Sequence, residues 1–301
     1  MKATIRLDNI TIDPITSFSS SNMEASILRL DKLHPIVSGN KWFKLRYYIE
    51  EAISQSCSTI ASFGGPYSNH LVALAYAAKE NNVKSIGYVR ATKEDAITPS
   101  LQEALAYGMQ LEFIGRTHFQ EIKNDLLKTA QHRSIDNDST YFIDEGGYGT
   151  IGAKGAATIL NENCKEYTTI IAAVGTGTML AGLINAAEAH QQVIGIPVLK
   201  NENTIEDEIK ILLINKKTTF NLLHYFHQGG YAKTNPALFT FMNQLWTSEK
   251  IPTDIVYTGK LLYAVDSLLK ENYFKEGSKI LVIHSGGLQG NRSLPLGTLL
   301  Y

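Results

Sequence analysis

Lys41 stands in the stretch SGNKWFKLRYYI (38–49), where a small, polar, glycine-containing turn runs directly into an aromatic-rich amphipathic segment. Most lysines lie on solvated faces. This one sits where the chain turns inward, with Trp42, Phe43 and Leu45 close behind it. An amine so placed has the chemistry to condense with an aldehyde to a Schiff base. A second stretch, AAVGTGTMLAGLINAA (172–187), takes an apolar strand into Gly175, Thr176, Gly177 and Thr178 and then into a helical pattern. The glycines let several backbone N–H groups converge, and the helix dipole adds positive potential, which together make a phosphate cup. It is not a Walker loop, because no Gly-Lys-Ser/Thr follows. It also departs from the dinucleotide fingerprint, with Leu180 at the third glycine position and the next glycine at Gly182. The plainer reading of such a pair is a tight strand-to-helix turn.

The stretch ASFGGPYSNHLVALAYAAKE (61–80) ends a strand in Gly64, Gly65 and Pro66 and opens a helix near Ser68 or Asn69. Both are good N-caps, and capping alone would account for them. The functional alternative is that the turn, from Tyr67 through Ser68 and Asn69 to His70, meets a small anionic substrate with its side chains and backbone N–H groups. DIVYTGKLLYAV (254–265) and LVIHSGGLQGN (281–291) read as strands that end in polar residues and glycine. That places Tyr257, Thr258, His284 and Ser285 where open parallel sheets bind ligands. A satisfied core residue is the competing reading for Tyr257 and His284. Tyr231, in HQGGYAKTNP, is a turn residue or a member of the same site. No Ser-His-Asp elbow, paired carboxylates or metal-ligand spacing is present, so no metal is expected. A lysine after a tight turn, a phosphate cup, hydroxyls at strand ends and a capped helix suit a phosphorylated carbonyl cofactor. Pyridoxal 5'-phosphate is the economical choice.

Positioning these groups requires alternating strands and helices, and the pattern supplies them. Strands are expected at 58–64, 85–90, 110–115 and 141–146, then at 168–177, 193–199, 254–259 and 279–287. Several are near-continuous Val, Ile and Ala, as parallel strands buried on both faces require. Trp42, Leu45, Ile49 and Ile53 share one helical face after Lys41, and 68–80 forms the helix after the first strand. The fold class is α/β, with two open, mostly parallel twisted sheets flanked by helices. The expected division is a large domain of 1–43 and 147–301 with a small domain, 44–146, inserted in it. The polar segment 199–210 is expected to be a surface loop entering a helix.

Composition narrows the function class. The 301 residues, 44% of them in the hydrophobic set, suffice for a sizeable core. The net charge of -1 gives no basic footprint for nucleic acid. Cys57 and Cys164 form neither a disulfide framework nor a zinc pattern. With no signal-peptide core and no bilayer-length apolar run, a cytoplasmic protein with no membrane partner is expected.

In combination, SGNKWFKLRYYIEEA, FGGPYSNH, VGTGTMLAGL, VYTGK and IHSGG resemble the D-cysteine desulfhydrase and 1-aminocyclopropane-1-carboxylate deaminase family, in the same order from about residue 35 to 290. The resemblance implies a pyridoxal-phosphate enzyme of the tryptophan-synthase-β fold type (fold type II), a homodimer acting on a small amino acid. It makes Lys41 the Schiff-base lysine that also moves the Cα proton, and gives Asn69 the cofactor's 3-hydroxyl. Ser68 and the helix behind it would take the substrate carboxylate. The 175–178 loop would take the phosphate, with Tyr231 and Tyr257 as active-site tyrosines. Where the cyclopropane deaminases carry a glutamate facing the pyridine nitrogen, this chain has Thr258. Ser285 stands where the desulfhydrases carry threonine. A hydroxyl at that nitrogen leaves the ring a weaker electron sink, which favours β-elimination over ring opening. Tyr67 replaces the family's usual glutamine beside the substrate. The expected activity is α,β-elimination from D-cysteine. The alternatives are 1-aminocyclopropane-1-carboxylate deamination, a non-catalytic homologue that binds the cofactor, and a nucleotide-binding Rossmann protein.

Overall fold

The computed structural model describes residues 5–95, 97–131, 139–200, 204–214 and 219–301. In chain order the elements are β1 (Ile12–Pro14), β2 (Glu24–Arg29), α1 (Asn40–Ser54), β3 (Thr59–Gly64), α2 (Asn69–Glu80), β4 (Lys84–Arg90), α3 (Pro99–Ala106), β5 (Met109–Ile114), α4 (Phe119–Gln131) and β6 (Thr140–Ile143). They continue with α5 (Thr150–Ala157), β7 (Thr169–Val174), α6 (Thr178–Ala186), β8 (Gln192–Pro197), α7 (Ile205–Ile211), β9 (Phe220–Leu222), α8 (Pro236–Glu249), α9 (Thr258–Lys270) and β10 (Lys279–His284).

Two sheets result. One has the order β5-β4-β3-β6 and is parallel throughout. The other runs β1-β2-β10-β7-β8-β9 and is parallel except at its edge, where β1 pairs antiparallel with β2. In the second sheet the side chains divide by strand period. Ile170, Ala172, Val174, Leu281 and Ile283 join the core on one face, while Ile171, Ala173, Ile280 and Val282 join the core on the other. The first core also holds α1, α2 and α6 residues, and the second holds α9 residues. Both faces are therefore covered, which is why these strands read as continuous apolar runs.

The structure corrects the sequence reading in several places. No strand was expected before Lys41, yet β2 lies beside β10 in register, Glu24 opposite Lys279 through Arg29 opposite His284. β9 was also unforeseen. The stretch 254–259 is not a strand, because the buried Asp254 carboxylate accepts the N–H groups of Val256, Tyr257 and Thr258 at 2.8–2.9 Å. Those donors are drawn into a helix-opening turn and cannot join a ladder. The stretch 141–146 stops being a strand after Ile143, where Asp144 caps a 3₁₀ turn, Glu145–Gly147. On α1, Trp42, Leu45 and Ile49 are buried, but Ile53 at the last turn is exposed. Of the polar segment 199–210, residues 201–203 lie outside the described residues, and α7 begins at Ile205.

Candidate active site

Lys41 is the second residue of α1, and its position follows from Gly39. That glycine has φ 64°, and a Cβ there would overlap the carbonyl oxygen of Ser285. Only glycine lets the lysine turn press onto the segment after β10. The Asn40 N–H then donates to Ser285 O at 3.1 Å, closing the contact. The Lys41 amine donates to Asn40 Oδ1 at 2.9 Å and stands 6.0 Å from the centre of the Tyr257 ring. Burial pushes this amine down to about 8, against the opposing pull of the Asp254 carboxylate.

The turn between β7 and α6 lies against the same tyrosine. A Cβ on Gly175 would touch Tyr257 at 3.2 Å. Gly177 occupies the N-cap of α6 in the left-handed region, with no side-chain cap. The hydroxyls of Thr176 and Thr178 are 3.2 Å apart. Beside this loop is a residue that the sequence reading missed. Lys44, 4% exposed, has no acidic partner among the described residues, and burial next to Lys41 pushes its amine well below the ordinary lysine value. The turn Glu145–Gly147 bridges the two. A Cβ at Gly146 would stand 3.0 Å from Thr176 Cγ2, and one at Gly147 would stand 3.5 Å from Lys44 Cβ. Its i, i+3 spacing from Lys41 inside an apolar stripe was the available signal.

At the third turn, Ser68 caps α2, its hydroxyl accepting the Leu71 N–H at 3.2 Å. Asn69 donates to Gly287 O at 3.4 Å, while its Oδ1 is buried with no partner. Tyr67 is turned outward and exposed. His70 is turned inward, with Nε2 2.8 Å from Ser62 Oγ and Nδ1 unpartnered in the neighbourhood of Lys41 and Lys44. Those two cations and burial hold it neutral, well below the ordinary histidine value.

Thr258 is buried, and its hydroxyl is engaged twice, accepting the Asp254 N–H and donating to Asp254 Oδ1, both at 2.7 Å. Ser285 follows β10 and is buried. His284 is a core residue, with Nε2 donating to Pro252 O at 2.7 Å and Nδ1 accepting the Gly286 N–H at 3.2 Å. The rings of Tyr231 and Tyr257 meet edge to face with centres 6.5 Å apart, and burial, with Tyr231 and Asp254 beside it, drives the Tyr257 phenol well above its ordinary value. Lys41, Gly175 and Tyr231 thus meet at Tyr257, while Ser285 touches the lysine turn and Asn69 reaches the segment after β10. Asp254 was missed as their organiser, although an Asp just ahead of a helical pattern is a capping signal.

The arrangement fits pyridoxal phosphate on its own terms. A buried amine with no acidic partner calls for an anion to hold its proton. The uncapped N-terminus of α6 offers N–H groups to the same anion. The orphaned Oδ1 of Asn69 calls for a donor. Among the described residues no group of three or more His, Cys, Asp or Glu side chains could hold a metal ion. No helix there is long and apolar enough to cross a membrane. A depression of about 720 Å³ between Leu7, Arg46 and Asn161 includes none of the residues above.

Known proteins resemble this chain along most of its length. A Thermotoga maritima protein, provisionally named a 1-aminocyclopropane-1-carboxylate deaminase, is 26% identical over 281 residues, 88% of each chain. The bifunctional D-cysteine desulfhydrase/1-aminocyclopropane-1-carboxylate deaminase of Arabidopsis thaliana is 27% identical, covering 84% of this chain and 70% of its own. Among solved structures, an ACC deaminase homologue superposes with a TM-score of 0.78 at 22% identity, over 94% of this chain and 90% of its own. That likeness shows a shared fold. Residues 14–286 match the pyridoxal-phosphate dependent enzyme model, and the chain belongs to that family.

Proposed function

We propose that the chain is a pyridoxal-phosphate lyase that removes sulfide from D-cysteine by α,β-elimination, giving pyruvate and ammonia. When bound, the cofactor supplies an aldehyde that condenses with amines and a ring that draws electrons from the substrate Cα. In this reading Lys44, the α6 N-terminus and the 175–178 loop hold its phosphate. Asn69 Oδ1 accepts from its 3-hydroxyl, and Lys41 is its attachment point. Ser285 is the hydroxyl left to face the ring nitrogen, since that of Thr258 is engaged by Asp254.

Ser68 and the first N–H groups of α2 orient the substrate carboxylate. The Lys41 Nζ, held at about 8 by burial, is poised to accept the Cα proton near neutral pH. Tyr257, kept protonated, faces the departing sulfur with a donor, and Tyr231 holds its hydroxyl in place. The released 2-aminoacrylate takes up water to give pyruvate and ammonia. The same reading makes 1–43 and 147–301 a large cofactor-binding domain, with 44–146 as the small one. It carries a cytoplasmic homodimer with it.

The observation that supports elimination is that, among the described residues, no free carboxylate stands around Ser285 and Thr258. The nearby Asp254 is committed to three backbone N–H groups and the Thr258 hydroxyl. Ring opening of 1-aminocyclopropane-1-carboxylate is the second reading, favoured by the names of the relatives. The test is the visible spectrum of the protein with pyridoxal phosphate, before and after D-cysteine, with sulfide measured alongside. A band that shifts as sulfide appears supports elimination. A band indifferent to D-cysteine, but responsive to the cyclopropane substrate with 2-oxobutanoate formed, selects ring opening instead.

A further inference from the structure

The carboxyl edge of the four-stranded sheet carries an ion pair that the chemistry above does not use. β4 ends on Arg90, and Glu145 lies in the turn after β6. Because the strand order is β4-β3-β6, the two side chains flank the β3–α2 turn from opposite sides. Arg90 Nη2 and Glu145 Oε1 are 3.4 Å apart, and the arginine side chain is 44% exposed. Charge-assisted pairs close to about 2.7–2.9 Å, as Lys123 and Asp144 do next door at 2.8 Å. The Arg90 contact is loose and engages one of the guanidinium's five donors. A half-exposed pair of this kind contributes about 0–1 kcal/mol to the fold.

The guanidinium is nonetheless held in place. It lies over the Phe119 ring at 5.0 Å, and a methyl group on Gly65 would come within 3.8 Å of Nη2. It therefore overlooks the turn that bears Ser68 and Asn69. From there both Arg90 and Glu145 act electrostatically on Tyr231. A cation with open donors, fixed between the substrate turn and an active-site tyrosine, is a receptor for an oxyanion.

We propose that Arg90 is a specificity-determining residue, selecting amino acids whose Cβ leaving group carries negative charge: a sulfate or phosphate ester. This rests on the elimination reading of the same site and extends its substrate class. For a sulfate ester, Lys41 Nζ takes the Cα proton, the Cβ–O bond breaks and its electron pair leaves on sulfate. Water then converts 2-aminoacrylate to pyruvate and ammonia.

Binding and turnover separate the two claims. Calorimetry on the holoenzyme would compare D-malate, with two carboxylates, against D-lactate, with one; neither has an amine to react. The expected result is malate binding at least about tenfold tighter than lactate. Arg90→Met should erase that preference with lactate affinity unchanged, and Arg90→Lys should keep part of it. Equal affinities in the unmodified enzyme, or a preference untouched by Arg90→Met, would overturn the proposal. Pyruvate release would be followed in parallel from D-serine O-sulfate and from neutral β-chloro-D-alanine. Arg90→Met should raise KM about tenfold or more for the sulfate ester alone; equal losses on both substrates count against it. If neither substrate yields pyruvate from the unmodified holoenzyme, the elimination reading fails, and the malate–lactate comparison still decides the role of Arg90.

Discussion

β3 and β7 are both six-residue strands buried along their whole length, and each hands over to a helix through a glycine-rich turn. The two turns then differ. At the start of α2 the chain supplies its own acceptor, Ser68 Oγ on the Leu71 N–H, and the adjoining Tyr67 and Asn69 are left for other contacts. At the start of α6 no side chain caps the helix, and Gly177 holds the N-cap in the left-handed region, where a Cβ would strike Ile209 at 2.7 Å. The lesson is that a strand-to-helix turn becomes an anion seat when the chain withholds its own cap. A turn with its cap in place has fewer N–H groups to offer and works together with the side chains around it.

The largest break in this contrast comes from removing the amine that stands between the two turns. Lys41→Ala should lower D-cysteine turnover by at least about 10³-fold, while phosphate-side binding of the cofactor persists by equilibrium dialysis. Next is the seat itself. Lys44→Met should weaken cofactor binding roughly 10- to 100-fold. The same change should leave the melting temperature of the apoprotein unchanged or higher, because an unpaired buried charge has gone.

The glycines sharpen the contrast further. Gly177→Ala forces a Cβ into the left-handed region and against Ile209, at a cost of about 1–2 kcal/mol seen in urea titration. Gly65→Ala meets nothing nearer than Arg90 Nη2 at 3.8 Å and should stay within about 0.5 kcal/mol.

A further effect is one of pH. The Lys41 amine sits at about 8 in the folded chain against an ordinary 10.5, so between those values the unfolded chain binds the extra proton. Apoprotein stability should therefore rise with pH above about 8. Between pH 8 and 9.5 the urea midpoint of the unmodified protein should climb more steeply than that of Lys41→Ala. Parallel slopes would show that the amine is not held down by burial.

Much of this architecture was legible in the chain. β3, β7 and β10 announced themselves as apolar runs because helices cover both faces of their sheets. Lys41 and Gly175 were visible because glycine and polar residues interrupt such runs abruptly. Other features depended on partners far away in sequence. β2 is a strand because β10 lies beside it, and nothing local in EASILR distinguishes it from a loop-bound run. DIVYTG has strand composition, but Asp254 captures its N–H groups, a local bond outcompeting sheet propensity. Lys44 looked like any helix-surface lysine until the packing around α1 placed it inside. Arg90 and Glu145 become neighbours of one turn only through the strand order of the small sheet, which no spacing encodes.

The pairing of β2 with β10 has a consequence for how the molecule comes into being. Glu24 meets Lys279, 255 positions further along the chain, and β10 also supplies the partner of β7. Contacts of such sequence separation close late. During synthesis the four-stranded sheet is complete in sequence by Ile143, while the larger sheet must wait for β10, which follows all its other strands in the chain. Until then β2 and β7 present open edges, and the Gly39 turn has no Ser285 to lean on. A nascent or truncated chain would thus hold a finished half beside an adhesive one. The lysine would be seated only after β10 has been made, which makes cofactor capture a report that the larger sheet has closed.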